Sequence, residues 1–500
     1  MSLADFVPFL PEIFLALAGF VLLLVGVSAG KRATRGLALA AVASLAVTAA
    51  LVWWGARPGD VPQLILGQML VVDHLGFYFK LLMLVASAIT VVMAAGFLER
   101  SAYGGGEFPA LVLFATVGMM VMASGANLVS LYVGLELMAL SVYVLVGYFK
   151  LEIKSNEGAV KYFVLGALSS GVLLYGISLV YGALGTLELE AIRTKLSTAP
   201  GDNLVLLLGI LLVVFGMLFK VAAVPFHVWT PDAYEGAPTP VTAFMSVGPK
   251  AAAFAMFLRL FAGEIGAFSP PAFANVFAPD RAPWINILWI ASALTMIYGN
   301  LAALTQDNVK RMLAYSSIAH AGYALLGLVA ASEYGTWSVL MYMLVYTFMN
   351  LGAFGLVILL ESKGYAGEQV ADYAGLAKRH PAAAAAMLIF LLALAGIPPT
   401  AGFIGKLYVF ASAVEAGHVG LVVIAVVMSA VSLYYYFRIV VQMYMKDGEE
   451  EAAGAAEMVR DRWVESMVLV CAVVTLLIGV WPTAVVGWAQ QGVAIAFGSM

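Results

Sequence analysis

Apolar runs of about 20 residues recur along nearly the whole chain, and each is long enough to cross a bilayer of about 30 Å as a helix. In hydrocarbon every backbone amide must be paired within the protein, and a helix pairs them inside one segment. Fourteen such spans are predicted, at roughly 8–28, 36–54, 73–96, 108–124, 127–148, 158–183, 203–224, 240–262, 283–304, 312–330, 337–360, 383–410, 418–445 and 464–488. A chain that is 63% hydrophobic and 11% charged has no soluble domain of comparable size in it. The fold class is therefore an all-α polytopic membrane protein, one transmembrane domain over residues 1–500. No basic region precedes the first span, so that span is expected to stay rather than to be cleaved as a signal peptide.

Loop charge orients the bundle. With the N-terminus outside, the predicted inside loops carry fourteen Lys and Arg residues, from Lys31 to Arg462. The outside loops carry four: Arg57, Arg193, Lys195 and Arg281. Such an excess marks the cytoplasmic side, so both termini are expected on the periplasmic side. The longest polar inside loops are Glu361–Pro381 and Lys446–Arg462, and the acidic run Glu449-Glu450-Glu451 reads as a solvated loop. No Gly-rich nucleotide loop, catalytic triad or histidine pair at metal spacing is present, and the one cysteine, Cys471, excludes a disulfide framework.

Two spans are interrupted. The segment Gly216–Lys250 holds Pro225, Pro231, Gly236, Pro238 and Pro240 among Lys220, His227, Asp232, Glu235 and Lys250. Proline removes a backbone donor and breaks a helix. Span twelve is broken in the same way at Gly396-Ile397-Pro398-Pro399, with Lys406 following. Spans seven and twelve are five apart, and an odd offset reverses the direction of crossing. Paired broken segments of this kind point to an inverted repeat with ion sites at its interface. The repeats are set at spans four to eight (about 108–262) and nine to thirteen (about 283–445), with spans one to three (about 8–96) and the last span outside them.

Ionisable groups at membrane depth default to a functional reading. Six basic residues fall in or near spans: Lys80, Lys161, Lys220, Lys250, Lys406 and Arg438. Glu136 is the one acid that does so plainly. A lone carboxylate among apolar residues must be neutral, paired or hydrated, and Lys220 is its natural partner. A Glu–Lys pair that can be made and broken is a switch for proton affinity. Lys250 and Lys406 can continue the path, with His227 and His320 filling gaps because imidazole titrates near neutral pH. Bland readings stand beside these: Glu136 as a packing residue, the lysines as structural ion-pair partners, Lys80, Lys406 and Arg438 as snorkelling side chains, and both histidines as satisfied buried groups. Glu157 and Lys161 are spaced for a helical i,i+4 pair. Asp232 and Glu235 read as stabilisers of the break.

The segment VPFHVWTPDAYEGAPTPVTAFMSVGPK resembles the signature of the antiporter-like subunits of respiratory complex I, the NADH:quinone oxidoreductase. SNEGAVKYFVLGALSSGVLLYG, DNVKRMLAYSSIAHAGY and LAGIPPTAGFIGKLYVF are similar to that family too, nearest its N-type branch, and the likeness covers almost the whole chain. The resemblance implies fourteen helices with broken helices seven and twelve in inverted repeats. It implies proton translocation coupled to electron transfer from NADH to quinone, in a bacterial inner membrane. The residues it carries over are Glu136 with Lys220 as a charge pair, Lys250 as the central lysine, Lys406 on the exit side, and His227 and His320 on the hydrophilic axis. It implies no cofactor in this chain, with flavin and iron–sulfur clusters in partner subunits. The partners implied are the lipid bilayer and the other complex I membrane subunits: the antiporter-like M and L and the small K and J. Nucleic acid is not expected. The rival readings are an Mrp-type cation/proton antiporter subunit, against which the TPDAYEGAPTPV variant and the short C-terminal end argue, and a scaffold whose buried charges only lock helices together.

Overall fold

Short polar side chains start the helices. Asp73, Asn127, Asn203, Asn308, Ser332 and Asp461 each accept a hydrogen bond from an amide of the turn that follows, satisfying a donor that the helix leaves unpaired. Gly185 and Gly396, both left-handed, end two of them, in a conformation that costs other residues energy. A computed structural model of the chain describes residues 3–30, 33–101, 103–196, 203–262, 266–268, 283–361, 367–446 and 458–498. The charges at Lys31, Arg32, Arg281 and Lys363 and the run Glu449-Glu450-Glu451 lie outside these residues.

The helices in order are α1 Leu10–Ala29, α2 Thr34–Gly55, α3 His74–Arg100, α4 Glu107–Ser124, α5 Leu128–Val146, α6 Ile153–Leu184, α7 Leu189–Leu196, α8 Leu204–Lys220, α9 Thr230–Gly236, α10 Thr239–Phe261, α11 Pro283–Ala303, α12 Val309–Val329, α13 Glu333–Leu360, α14 Leu376–Arg379, α15 Pro381–Ala395, α16 Ala401–Glu415, α17 Val419–Met445, α18 Arg462–Val480 and α19 Thr483–Gly498. Among the described residues, twelve helices are long and apolar enough to cross a membrane. The other two predicted crossings are the broken ones.

Span seven becomes α8, a turn segment over 221–229, and the short α9. The helix stops at Lys220, ahead of Pro225 rather than at it, because Ala222 enters the left-handed region (φ 60°) and the Val224 amide turns out to Thr295 Oγ1 at 2.9 Å. Span twelve becomes α15, a break over 396–400, and α16. Span fourteen, expected over 464–488, is corrected. Pro482 lacks the amide that would continue it, so α18 ends at Val480 and α19 folds back against α3 and α13, with the Trp488 ring 4.3 Å from Tyr78. A two-stranded hairpin, β1 Gln63–Ile65 with β2 Leu70–Val72, closes the α2–α3 connection and was not foreseen.

The bundle is layered by burial. The membrane-spanning windows of α10 and α12 are wholly buried and that of α13 is 94% buried, whereas those of α1, α2, α17 and α18 are 33% buried. Helices α10, α12 and α13 therefore form a core with almost no lipid face, covered by α3, α4 and α11 as well as by the broken α15 and α16.

One local arrangement occurs twice. The Leu128 amide donates to Leu187 O and the Leu189 amide to Ala126 O, at 2.9 and 3.0 Å. The Val309 amide donates to Glu368 O and the Val370 amide to Asp307 O, at 2.6 and 2.9 Å. Each pair forms an antiparallel bridge, Asn127 to Glu188 and Asn308 to Gln369, and both partners shift by the same 181 residues. Each bridge ties the start of one helix, α5 or α12, to the loop that follows the next, α6 or α13.

Candidate functional site

Each candidate lysine is held by the backbone feature beside it. Lys220 is the last residue of α8, where carbonyls lack helical partners and a cation is favourable. Its ammonium donates to Ser170 Oγ on α6 at 3.1 Å. Lys250, on the central α10, donates to Ser317 O and Ser317 Oγ of α12, each at 2.5 Å. Lys406 reaches back from α16 across the break. It donates to Leu394 O and Ala395 O at the end of α15, both at 3.0 Å, and to Ser429 Oγ of α17 at 2.8 Å. The broken helix supplies the acceptors, so the break and the lysine explain each other. Gly396 makes this possible: it is left-handed (φ 84°), and a Cβ there would lie 2.8 Å from Lys406 Cδ.

All three lysines are buried, at 8%, 3% and 5% exposure, which decides against snorkelling for Lys406. Among the described residues none of them forms an ion pair with a carboxylate. The expected contact between Glu136 and Lys220 is therefore corrected. The Glu136 Oε1 on α5 is buried without a hydrogen-bond partner among the described residues, and the Lys220 ammonium donates to Ser170 instead. The two side chains rise from helices on either side of α6 and stop short of each other.

His320, at the middle of α12, is a node. Its Nδ1 lies 2.7 Å from Tyr342 OH and its Nε2 3.3 Å from Tyr436 OH, which in turn lies 2.5 Å from Ser316 Oγ. Tyr323 stacks edge-on to His320, and Lys406 Nζ sits 4.8 Å from the Tyr323 ring centroid, a cation–π distance. Lys250, Ser317, Ser316, Tyr436, His320, Tyr323 and Lys406 thus form a polar seam through the second half of the bundle. His227 does not join it. It lies in the 221–229 break against Tyr298 of α11, ring centroids 4.5 Å apart, and its Nδ1 has no hydrogen-bond partner among the described residues. Among the described residues no side-chain hydrogen bond joins Lys220 directly to Lys250; Tyr234, 3.5 Å from Ser317 Oγ, lies nearest the gap.

Other charges prove to be ties. Lys80 is not a snorkelling residue: it pairs with Glu12 of α1 at 2.6 Å, both buried. Arg438 reaches the end of the bundle, as a snorkelling side chain does, and is tied there: it donates to Leu304 O and Gln306 O beyond α11 and pairs with the exposed Asp307 at 2.6 Å. Lys161 makes the expected pair with Glu157 at 2.6 Å and adds Asp232 at 2.8 Å. Arg311 bridges Asp232 and Glu235 at 2.8 and 2.9 Å, and Lys154 holds Glu235 at 2.9 Å. Burial disfavours ionisation of Asp232 and Glu235, but the bonds from Lys161, Lys154 and Arg311 outweigh it and hold both carboxyls below their usual range. These two acids therefore pin α9 to α6 and α12, as the reading of them as stabilisers of the break requires.

The chain matches the family model described as NADH:quinone oxidoreductase/Mrp antiporter, TM, over residues 125–432. It is 45% identical over 489 residues to the NADH-quinone oxidoreductase subunit N of Trichlorobacter lovleyi, covering 97% of this chain and 96% of that protein. The chain belongs to the subunit N family of NADH-quinone oxidoreductase. The subunit N of Rhodospirillum rubrum is 43% identical over 493 residues, 98% of each chain. A chain of respiratory complex I from Thermus thermophilus, solved with bound aureothin, superposes with a TM-score of 0.78 at 34% identity, covering 96% of this chain and 99% of that one. A chain of the Mrp complex from Dietzia sp. superposes with a TM-score of 0.80 at 22% identity and covers 100% of this chain, a likeness of fold. As a subunit N family member, the protein is an antiporter-like, multi-pass subunit of an inner-membrane oxidoreductase.

Sequence reasoning found the lysines but missed several of their partners. Ser170, Ser429, Tyr342 and Tyr436 had no motif to mark them. Glu12 and Arg259 were passed over because they lie near predicted span ends. Arg259 makes a two-pronged pair with Asp73, at 2.9 and 2.7 Å, and donates to Ala123 O at 2.6 Å.

Proposed function

We propose that this chain moves protons across the membrane as a non-redox subunit of NADH:quinone oxidoreductase, driven by electron transfer that takes place in other subunits. The observation that carries the proposal is three buried lysines, each held by hydroxyls or carbonyls and none by a carboxylate. A permanent charge in such a place is costly unless it is paired. A lysine whose partners are neutral tolerates both protonation states better than one locked to an acid, which is what a carrier requires. In this reading a change in the Glu136 field frees the Lys220 proton to move towards Lys250, and the seam from Ser317 to His320 leads it on to Lys406.

Further parts of the proposal follow. Spans four to eight and nine to thirteen are inverted repeats, for which the doubled bridge at Asn127 and Asn308 is support. Both termini face the periplasm. Flavin and iron–sulfur clusters belong to partner chains, and the membrane neighbours are the M, L, K and J subunits. The Mrp-type alternative has the shared fold in its favour, while the relatives at 45% and 43% identity carry the name NADH-quinone oxidoreductase subunit N.

The test is purification of the tagged chain in mild detergent, followed by reconstitution. An assembly with flavin and iron–sulfur absorption that oxidises NADH with quinone and acidifies one side of the vesicle is the expected result. Turnover with no proton movement refutes the translocation. Cation exchange by an assembly without redox centres moves the protein to the Mrp reading.

A further inference from the structure

The relay proposed above reaches Lys250 from Lys220 without a direct side-chain hydrogen bond between them among the described residues, and it includes no group that takes protons from the inner aqueous phase. A second line of polar groups runs from Lys250 to the end of the bundle that carries Lys154, Lys310 and Arg311. Thr239, Thr242, Ser246 and Lys250 follow one another on α10 at intervals of three and four residues, so they share one face. All four are buried in a helix that has no lipid face. Asn350 of the neighbouring α13 donates from Nδ2 to Ser246 Oγ at 2.6 Å. Thr239, the first residue of α10, hydrogen-bonds the Glu361 carboxylate, which caps the far end of α13.

We propose that Glu361 is the proton-loading group on the inner side, and that it feeds Lys250 through Thr239, Thr242, Ser246 and Asn350. The proposal rests on the translocation reading above and deepens it. From Thr239 to Lys250 is eleven residues, about 16 Å of helix, which is half the hydrocarbon thickness. The line therefore spans from the rim to mid-membrane, where the other seam begins. Successive side chains on this face are about 5–6 Å apart at Cβ, a gap that one bridging water closes.

The Thr242 hydroxyl donates outside its own helix, to Tyr234 O at 2.8 Å, while the Ser246 hydroxyl donates to Ala243 O at 2.7 Å and accepts from Asn350 Nδ2; each oxygen keeps a lone pair on which a proton can arrive. The Asn350 Oδ1 acceptor is fully buried and has no partner among the described residues. Buried side-chain acceptors are usually satisfied, so an unused one on a side chain bonded to Ser246 points to a transient donor. Glu361 is suited to its place. Burial raises its carboxyl above the usual range and Glu368 adds to the rise, against Lys310, Thr239 and Arg100. The charged and titratable groups around it are Lys310, which pairs with Glu368 at 3.1 Å, Arg100, which pairs with Asp461 at 3.2 Å, and Tyr373.

The transfer balances. A protonated Glu361 carboxyl gives its proton to the Thr239 hydroxyl, each acceptor along the line takes one proton and passes another, and a neutral Lys250 amine becomes an ammonium. The Glu361 carboxylate left behind takes a new proton from the inner aqueous phase.

The experiment uses membrane vesicles that carry the assembled complex, with the initial rate of proton uptake and the rate of NADH oxidation followed together across inner pH. Glu361→Gln is expected to slow uptake about tenfold, below the full cost of losing a positioned proton-transfer group, and to flatten its dependence on inner pH. Glu361→Asp restores a titrating dependence. Thr239→Val, close in shape and lacking the hydroxyl, slows uptake with the pH profile retained, and serves if Glu361→Gln does not assemble. A pumping wild type with unchanged uptake rate and pH profile in Glu361→Gln and Thr239→Val overturns the inference alone. A wild type that oxidises NADH without pumping overturns the translocation reading, and this inference with it.

Discussion

Replacing Asp73 with alanine should be among the most damaging single changes outside the lysine seam. Asp73 has two jobs. Its carboxylate takes both prongs of the Arg259 guanidinium at 2.7 and 2.9 Å, and its Oδ1 accepts from the Gly76 amide at 2.8 Å to cap α3. The two side chains are 14% and 7% exposed, so the pair is largely shielded from water. Leaving a buried charge without its partner costs about 3–5 kcal/mol, and losing an N-cap about 1 kcal/mol. The sum is about 4–6 kcal/mol. Asp73→Asn keeps the cap and one guanidinium contact, and should cost about half as much. The double change Asp73→Ala with Arg259→Met removes the stranded charge, so it should recover most of the loss, since apolar replacement of a buried pair is often neutral. Thermal unfolding in detergent micelles, read by the chain's nine tryptophans, measures the order of the variants, and the yield of assembled complex measures its consequence. If Asp73→Ala melts within about 1 kcal/mol of the parent, or the double variant melts no higher than the single one, the pair is not the anchor described.

Further tests address the seam and the rim. Lys220→Ala and Glu136→Ala should each depress proton pumping in an assembled complex, and normal pumping in either would remove that residue from the relay. Tyr436→Phe deletes the hydroxyl between His320 and Ser316 while keeping the ring; slower pumping with normal assembly is expected, and an unchanged rate argues that the seam runs elsewhere. Gly396→Ala forces a left-handed alanine, costing about 1–2 kcal/mol, and crowds Lys406, so both assembly and pumping should fall. The folded-state carboxyls of Asp232 and Glu235 lie below their ordinary values of 3.8 and 4.5, so their stabilising ties are fully present above that range and are lost as pH falls through the lower folded values. An acid-induced loosening that is absent from Asp232→Asn would show this in a pH series of melting curves; identical acid limbs would refute it.

What the sequence disclosed, and what it did not, follows from range. The crossings and their breaks were legible because hydrophobic length and proline act within a few residues. Lys220, Lys250 and Lys406 stood out because an ion in an apolar run is conspicuous on its own. Ser316, Ser317 and Tyr323 beside His320 are legible as linking hydroxyls, but Ser170 and Ser429 are ordinary serines until three-dimensional packing sets them against an ammonium. The Glu136–Lys220 contact follows from charge and from the family resemblance, neither of which fixes distance, and the fold answers with geometry: Ser170 takes the ammonium. Lys80 and Arg438 were ambiguous for the same reason, since Glu12 and Asp307 lie far away in sequence. The fold-back at Pro482 was the avoidable miss, because proline had been read correctly as a breaker elsewhere.

The wholly enclosed core has a consequence for how the protein is made. The windows of α10 and α12 are buried on every side, and both rank among the least apolar of the long helices. A helix that carries Lys250, or one that carries His320, Ser316 and Ser317, gains little by meeting lipid directly. Those segments therefore leave the insertion machinery as poor membrane residents and must be sheltered by earlier helices that wait for them. Synthesis of the first seven crossings, which lie ahead of α10 in the chain, sets up that shelter. Variants that slow the docking of α10 against α3, α4 and α13 should be degraded during biogenesis before any transport step can be measured.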